Sequence, residues 1–343
     1  MKNRFMLAPM TNEQSHENGA LSDDEFRWLQ MRAEGGFGLT MTCASHVQQI
    51  GKGFAGQLGI FSDQLKAGHE RLTRAIKSQR SLAVIQLHHA GMRSPKKLID
   101  NNPVCPSDNE KFGARALTLT EIHNLREDFV SAAKRAQNWG YDGVEIHGAH
   151  GYILCQFLSA AINHRTDEYG GNLTNRSRLL FEIIEEIRAH CGNDFLIGVR
   201  LSPERFGMDL GEVQTVCRQL IATNHIDFLD ISLWDVFKLP ENEAYKDQPL
   251  LQYFTQLDRG NVKLTVAGKI RTAQDVKQIL NQSVDYAAIG RSAILHHDFP
   301  QRIINNVDFK PVETPVSSAY LKDQGLSEVF IQYMKKWPHF VEA

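Results

Sequence analysis

Thr118-Leu119-Thr120-Glu121 opens a mixed polar and apolar run that ends at Trp139, and Gly143-Val144-Glu145-Ile146-His147 follows at once. The first part reads as a helix over Leu119–Trp139. Thr118 and Glu121 stand three apart, the spacing at which a hydroxyl and a carboxylate reciprocally satisfy two orphan backbone donors. The second part is short, apolar and ends in a polar residue, which reads as a buried parallel strand. A capped helix feeding a buried strand is half of a βαβ unit.

The same alternation extends in both directions. Further strand-like runs are Phe5–Ala8, Gly38–Thr42, Leu82–Leu87, Leu196–Arg200, Phe228–Ser232, Lys263–Ala267 and Tyr286–Gly290. Helical periodicity fills Asp23–Glu34, Gln64–Lys77, Arg176–His190, Glu212–Thr223, Leu250–Asp258, Ala273–Gln282 and Phe299–Asn306. Ser22 with Glu25, and Thr272 with Asp275, repeat the capping-box spacing. Eight strands alternating with eight helices predict a single-domain α/β TIM (β/α)8 barrel. A doubly wound sheet is disfavoured, because the first strand runs into Pro9-Met10-Thr11 with no GxGxxG.

Two loops are long, Gly91–Leu117 after the third strand and Ser159–Asn175 after the fourth, and long ordered loops are commonly functional. The barrel is expected over residues 1–310. Residues 311–343 form a C-terminal extension expected to pack on the barrel or on a neighbouring subunit, so a dimer or tetramer is an expectation as well. The first strand lies close to the N-terminus, which leaves little chain to plug the barrel floor.

Composition narrows the function. The 343 residues carry 38 Lys+Arg and 40 Asp+Glu, a net charge of −2, with 42% hydrophobic residues. That balance argues against a disordered chain and against a nucleic-acid binder. No apolar run approaches the roughly 18 residues of a membrane helix. Five dispersed cysteines without a CxxC predict neither disulfides nor a cysteine-bound metal, and point to the cytoplasm.

In a TIM barrel the chemistry stands at the C-terminal ends of the strands. Here those ends deliver Pro9, Met10 and Thr11; Cys43 and Ala44; Gln86, His88 and His89; His147, His150 and Tyr152; Arg200; Trp234 and Asp235; Gly268 and Lys269; Gly290 and Arg291. The glycine–cation pairs after the last two strands fit the phosphate site common to that position. There is no carboxylate pair for glycoside chemistry and no GxSxG elbow.

The run His147-Gly148-Ala149-His150-Gly151-Tyr152, continued by Phe157-Leu158-Ser159 and by Asn163 to Asn172, resembles the signature of the Old Yellow Enzyme family of FMN-dependent NAD(P)H:flavin oxidoreductases. Asn3–Thr11, Ile85–Gly91, Val199–Ser202 and Ile289–Arg291 resemble that family's first, third, fifth and eighth strands.

The resemblance implies tightly bound, non-covalent FMN with NAD(P)H as reductant. Pro9, Met10, Thr11 and Ala44 would line the ring, and Gln86 and Arg200 would meet its pyrimidine edge. Gly268, Lys269, Gly290 and Arg291 would hold the phosphate. His147 and His150 would grip the oxygen of an α,β-unsaturated carbonyl or similar activated alkene, and Tyr152 would protonate its α-carbon. Thr11 stands where a bacterial subgroup carries Cys, and Glu13 where that subgroup carries Tyr. A metal-dependent hydrolase using His147 and His150, and an FMN barrel with another electron acceptor, are the alternatives. Whether Cys43 or Trp234 lines the pocket is open at this stage.

Overall fold

The computed structural model describes residues 1–343. Its strands are β1 Phe5–Leu7, β2 Leu39–His46, β3 Leu82–His88, β4 Val104–Cys105, β5 Arg115–Ala116, β6 Gly143–Gly148, β7 Leu196–Leu201, β8 Phe228–Ser232, β9 Lys263–Ala267 and β10 Tyr286–Ile289. Eight of these close into one barrel in the order β1-β2-β3-β6-β7-β8-β9-β10, with β10 paired back to β1, and every pair is parallel. All eight strands expected from the sequence are present. β4 and β5 form a separate two-stranded ladder inside the loop after β3, which therefore has structure of its own.

The helices lie between the strands where the periodicity places them, with shifted ends. Leu119–Asn138 and Ala273–Leu280 both open with reciprocal capping boxes. Ser22 also caps its helix by accepting from the backbone of Glu25, but the Glu25 carboxylate turns inward to Asn12 and Ser15 instead of back to Ser22. The helix expected over Leu250–Asp258 contracts to Gln252–Thr255. Its flanking bonds run over three residues, from Phe254 N to Leu251 O and from Leu257 N to Phe254 O, so the α-helical ladder does not propagate.

The barrel interior is layered. Met6, Leu39, Met41, Val84 and Phe228 form a buried apolar cluster at its base. A Cβ on Gly198 would lie 2.0 Å from the Phe228 ring, so the glycine makes room for that ring. The strands themselves thus fill the floor, whatever the N-terminal segment adds. Above this layer the register sets Gln86 opposite Glu145 and Arg200 opposite Asp230. Ala8, Ala267 and Ala288 form a small cluster near the top, leaving space over one side of the barrel.

A register shift in β2 between Met41 and Ala44 sets Ala44 opposite Gln86. Cys43 is buried against Glu25 and is not on the cavity wall. The C-terminal helix Glu328–Lys335 packs on Asp23–Glu34 through Phe330 and Trp28, whose ring centroids are 4.9 Å apart. No helix is long and apolar enough to cross a membrane.

Candidate active site

A cavity of about 780 Å³ opens at the C-terminal ends of the strands. That volume falls within the ~300–1,000 Å³ usual for small-molecule sites. Twelve of the residues singled out in the sequence lie on its wall: Pro9, Met10, Thr11, His150, Tyr152, Arg200, Trp234, Asp235, Gly268, Lys269, Gly290 and Arg291. Ala44, Gln86 and His147 stand behind the wall and are buried.

The wall between His147 and Tyr152 is built by backbone conformation. His150 and Gly151 both have positive φ, 60° and 70°. Such values are uncommon for a non-glycine residue and mark a chain held by its surroundings. Here the His150 N–H donates to Ser202 Oγ at 2.9 Å, and a Cβ at Gly151 would press on Phe206 at 3.0 Å. The turn folds the Tyr152 ring back against His88 and His147, at centroid distances of 4.3 and 5.1 Å.

The two histidines form a relay of hydrogen bonds. The Ala149 N–H donates to His147 Nδ1 at 3.2 Å, which puts the His147 proton on Nε2. That N–H donates to His150 Nδ1 at 3.3 Å, and His150 Nε2–H donates to Ser232 Oγ at 2.7 Å. Burial holds both imidazoles well below the usual histidine pKa, with His150 and Arg200 adding to the effect on His147, and Arg200 and Arg93 to that on His150. Both are therefore neutral at pH 7, each with one N–H to give. The donors expected to face a ligand oxygen are engaged with one another and with Ser232 in this conformation.

The opposite end of the cavity is cationic. At Gly290 a Cβ would project into open space, with only Met10 Sδ nearby at 3.7 Å. Gly268 has φ 149°, and a Cβ there would lie 2.6 Å from the Trp234 backbone, so no other residue fits. Lys269 pairs with Asp235 at 2.8 Å on a half-exposed surface, a contact of little net strength. Arg291 has no carboxylate partner. Burial and the neighbouring Arg271 lower its pKa, and Asp235, already paired with Lys269, only partly offsets them. In the middle, buried Arg200 has one long hydrogen bond, from Nη1 to Pro9 O at 3.5 Å, and an ion pair to Asp230 at 3.1 Å. Two unneutralised cations beside an open glycine, with a buried guanidinium further along, suit a ligand with a phosphate at one end and a polar ring at the other.

Several wall residues escape the sequence reading. Arg93 donates to the His150 carbonyl oxygen and lies over the Tyr152 ring, 4.7 Å from its centroid. Ser232, Arg205, Phe206, Lys238 and Arg271 also line the cavity. Trp234, whose place the sequence left open, lines the cavity at 44% exposure, and Cys43 does not. Tyr333, Met334 and Trp337 reach the wall from the C-terminal segment, more than 300 residues from β1. Ser232 and Arg271 were legible as polar residues at or just past strand ends. The C-terminal residues carried no such signal.

The chain matches the NADH:flavin oxidoreductase / NADH oxidase family over residues 1–309. It is 33% identical to the probable NADH-dependent flavin oxidoreductase YqiG of Bacillus subtilis, over 92% of this chain and 87% of that protein. The chain belongs to this family. It is also 32% identical to an NADPH dehydrogenase of Clostridium acetobutylicum, over 91% of this chain and 95% of that protein. Among solved structures, the old yellow enzyme homologue from Zymomonas mobilis superposes with a TM-score of 0.79 at 27% identity, covering 95% of this chain and 93% of that one. Morphinone reductase in complex with tetrahydroNAD gives a TM-score of 0.78 at 25% identity, covering 93% and 90%. The protein is an FMN-dependent, NAD(P)H-linked flavin oxidoreductase of the Old Yellow Enzyme family. Membership sets aside the hydrolase alternative.

Proposed function

We propose that this enzyme reduces the carbon–carbon double bond of α,β-unsaturated carbonyl compounds or similarly activated alkenes. One observation carries this reading. His147, His150 and Tyr152 form a single cluster, with centroids 5.1 Å apart for His147–His150 and for His147–Tyr152, against the cavity that also holds Arg200.

When bound, FMN supplies the chemistry of taking an electron pair from NAD(P)H and delivering it as hydride. Gly268, Lys269, Gly290 and Arg291 would hold its phosphate, and Arg271 adds a further cation at that end. Pro9, Met10, Thr11 and Ala44 would line the ring, and Arg200 and Gln86 would meet the pyrimidine edge.

The imidazoles recognise the substrate oxygen. As hydride adds to the β-carbon, negative charge moves onto that oxygen, and N–H donors aimed at it gain strength. One such preorganised donor contributes on the order of 10²–10³ in rate. For His150 this requires exchanging Ser232 for the substrate oxygen, and for His147 turning its Nε2–H from His150 to that oxygen. Because both rings are neutral, neither loses its proton to solvent in doing so.

Tyr152 delivers the proton to the α-carbon, which completes the reduction with one hydride and one proton added. Arg93 lies over the Tyr152 ring and restricts its position. On this reading residues 311–343 roof the site through Tyr333, Met334 and Trp337 and do not form a separate domain.

Isotope placement tests the assignment. Reductant deuterated at its transferred position should label the β-carbon, and ²H₂O should label the α-carbon. Both labels on one carbon, or no alkene reduction by enzyme that NAD(P)H reduces, would contradict it.

A further inference from the structure

Beneath the cavity the barrel encloses three ionisable side chains almost without solvent: Glu145 at 0% exposure, Asp230 at 1% and Arg200 at 5%. Gln86 Nε2 donates to Glu145 Oε1 at 2.6 Å. Asp230 Oδ2 lies 3.1 Å from Arg200 Nε, an ion pair whose angle is too poor for a hydrogen bond. Each carboxyl group thus has one oxygen engaged. The other two oxygens, Glu145 Oε2 and Asp230 Oδ1, are buried and receive no donor. Yet the two carboxyl groups are within hydrogen-bonding reach of each other.

Two ionised carboxylates are acceptors only, so the charged forms offer nothing to satisfy those oxygens. One proton between them satisfies both. Charge gives the same answer. Arg200 with two carboxylates leaves a net −1 in the barrel, whereas one added proton makes the trio neutral. An uncompensated buried charge is strongly destabilising. No other charged residue faces the group: Gln86 and Thr265 are uncharged, and His147, the register partner of Arg200, is held neutral by burial.

The surroundings also say where the proton resides. Asp230 faces the guanidinium, which favours its charge. Burial raises both acids, but Asp230 less, because it is in ion-pair contact with Arg200; Glu145, bonded to an amide and beside a second carboxylate, is raised well above the usual range by burial and by Asp230.

We propose that Glu145 is a neutral carboxylic acid at pH 7 that donates to Asp230, and that its proton sets how much Arg200 charge reaches the bound flavin. The second half rests on the placement of Arg200 at the flavin's pyrimidine edge. Glu145 and Asp230 are positioning residues, acting through Arg200. With Glu145 ionised, the floor would carry net negative charge and oppose the arrival of an electron pair. With Glu145 protonated, that opposition is removed.

The test is the midpoint potential of bound FMN in wild type, Glu145→Gln and the double variant Glu145→Gln/Asp230→Asn. Glu145→Gln exchanges one neutral donor for another, so the oxidised-to-reduced ratio at fixed potential should change by less than about threefold. Adding Asp230→Asn removes the charge facing Arg200 with no acid left to ionise in its place, and should shift that ratio at least tenfold towards reduced, roughly 30 mV upward for a two-electron couple. A tenfold or larger upward shift already in Glu145→Gln would mean that Glu145 is ionised in the wild type, and would overturn the proposal.

A second measurement does not need flavin. Infrared spectra of flavin-free protein with ¹³C-labelled glutamate should show a protonated-carboxyl band at pH 7 that Glu145→Gln abolishes. Absence of that band overturns the proton. Its presence with no shift in potential in either variant overturns the coupling to the flavin and leaves the buried acid in place.

Discussion

His147 Nε2 lies 3.3 Å from His150 Nδ1, so the first imidazole donates to the second, and the second passes its own N–H to Ser232 at 2.7 Å. The two imidazoles are thus a hydrogen-bonded chain ending on a serine, and on the proposed function the substrate oxygen replaces that serine.

Ser232→Ala should therefore tighten the binding of phenols and carbonyl ligands. The bond that His150 gives up has a net worth of about 0.5–1.5 kcal/mol, so the gain should be roughly 2- to 10-fold in Kd. Titration of the phenol charge-transfer band measures it. His147→Ala with His150→Ala should abolish that band altogether.

Tyr152→Phe should leave reduction of FMN by NAD(P)H intact and slow alkene reduction. Loss of a general acid typically removes on the order of 10²–10⁴ in rate. Stopped-flow measurement of the two half-reactions separates the effects, and an unaltered oxidative half-reaction would remove Tyr152 from the role.

Arg291→Ala should loosen FMN, because Arg291 is an exposed cation on the cavity wall with no carboxylate in ion-pair contact. Lys269→Ala should do so less, since Asp235 already offsets Lys269. Flavin retained after dialysis, read from the visible band against the protein band, gives the order. Full retention in Arg291→Ala would exclude it as a phosphate ligand.

Stability should fall on mild acidification. His46, His69 and His296 are held at about 4 and His89 at about 3, and His88, His147 and His150 are also depressed, chiefly by burial. Below the ordinary value of 6.5 the unfolded chain binds protons that the folded chain refuses. Their contribution is complete above pH 6.5 and is lost as pH falls towards 4. Glu25, Asp128, Glu145 and Asp230, raised by burial, act in the opposite sense but are fewer. Urea midpoints at pH 7.5 and 5.5 should differ in that direction. His69→Gln should reduce the difference.

The barrel was legible because parallel strands buried on both faces read as short apolar runs, and because capped helices separate them. The contraction of Leu250–Asp258 was not, since its apolar residues suit a helix and only the tertiary path of the loop after β8 interrupts it. In the site, His147, His150, Tyr152 and Arg200 were visible as polar residues at strand ends. Glu145 and Asp230 are each an acid flanked by apolar residues in a buried strand, a signal of a buried charge that says nothing of its partner. Their pairing with Arg200 and Gln86 depends on barrel register, which one strand alone does not disclose. Tyr333 and Trp337 reach the cavity through packing of a distant helix, and no local pattern encodes that.

The most direct test of the central claim is the visible spectrum of the purified enzyme under anaerobic conditions, first with NADPH or NADH and then with 2-cyclohexenone. The flavin band should bleach with the nicotinamide and return on addition of the enone, without oxygen. A band that bleaches and then ignores the enone and other activated alkenes would contradict alkene reduction and assign the electrons to a different acceptor.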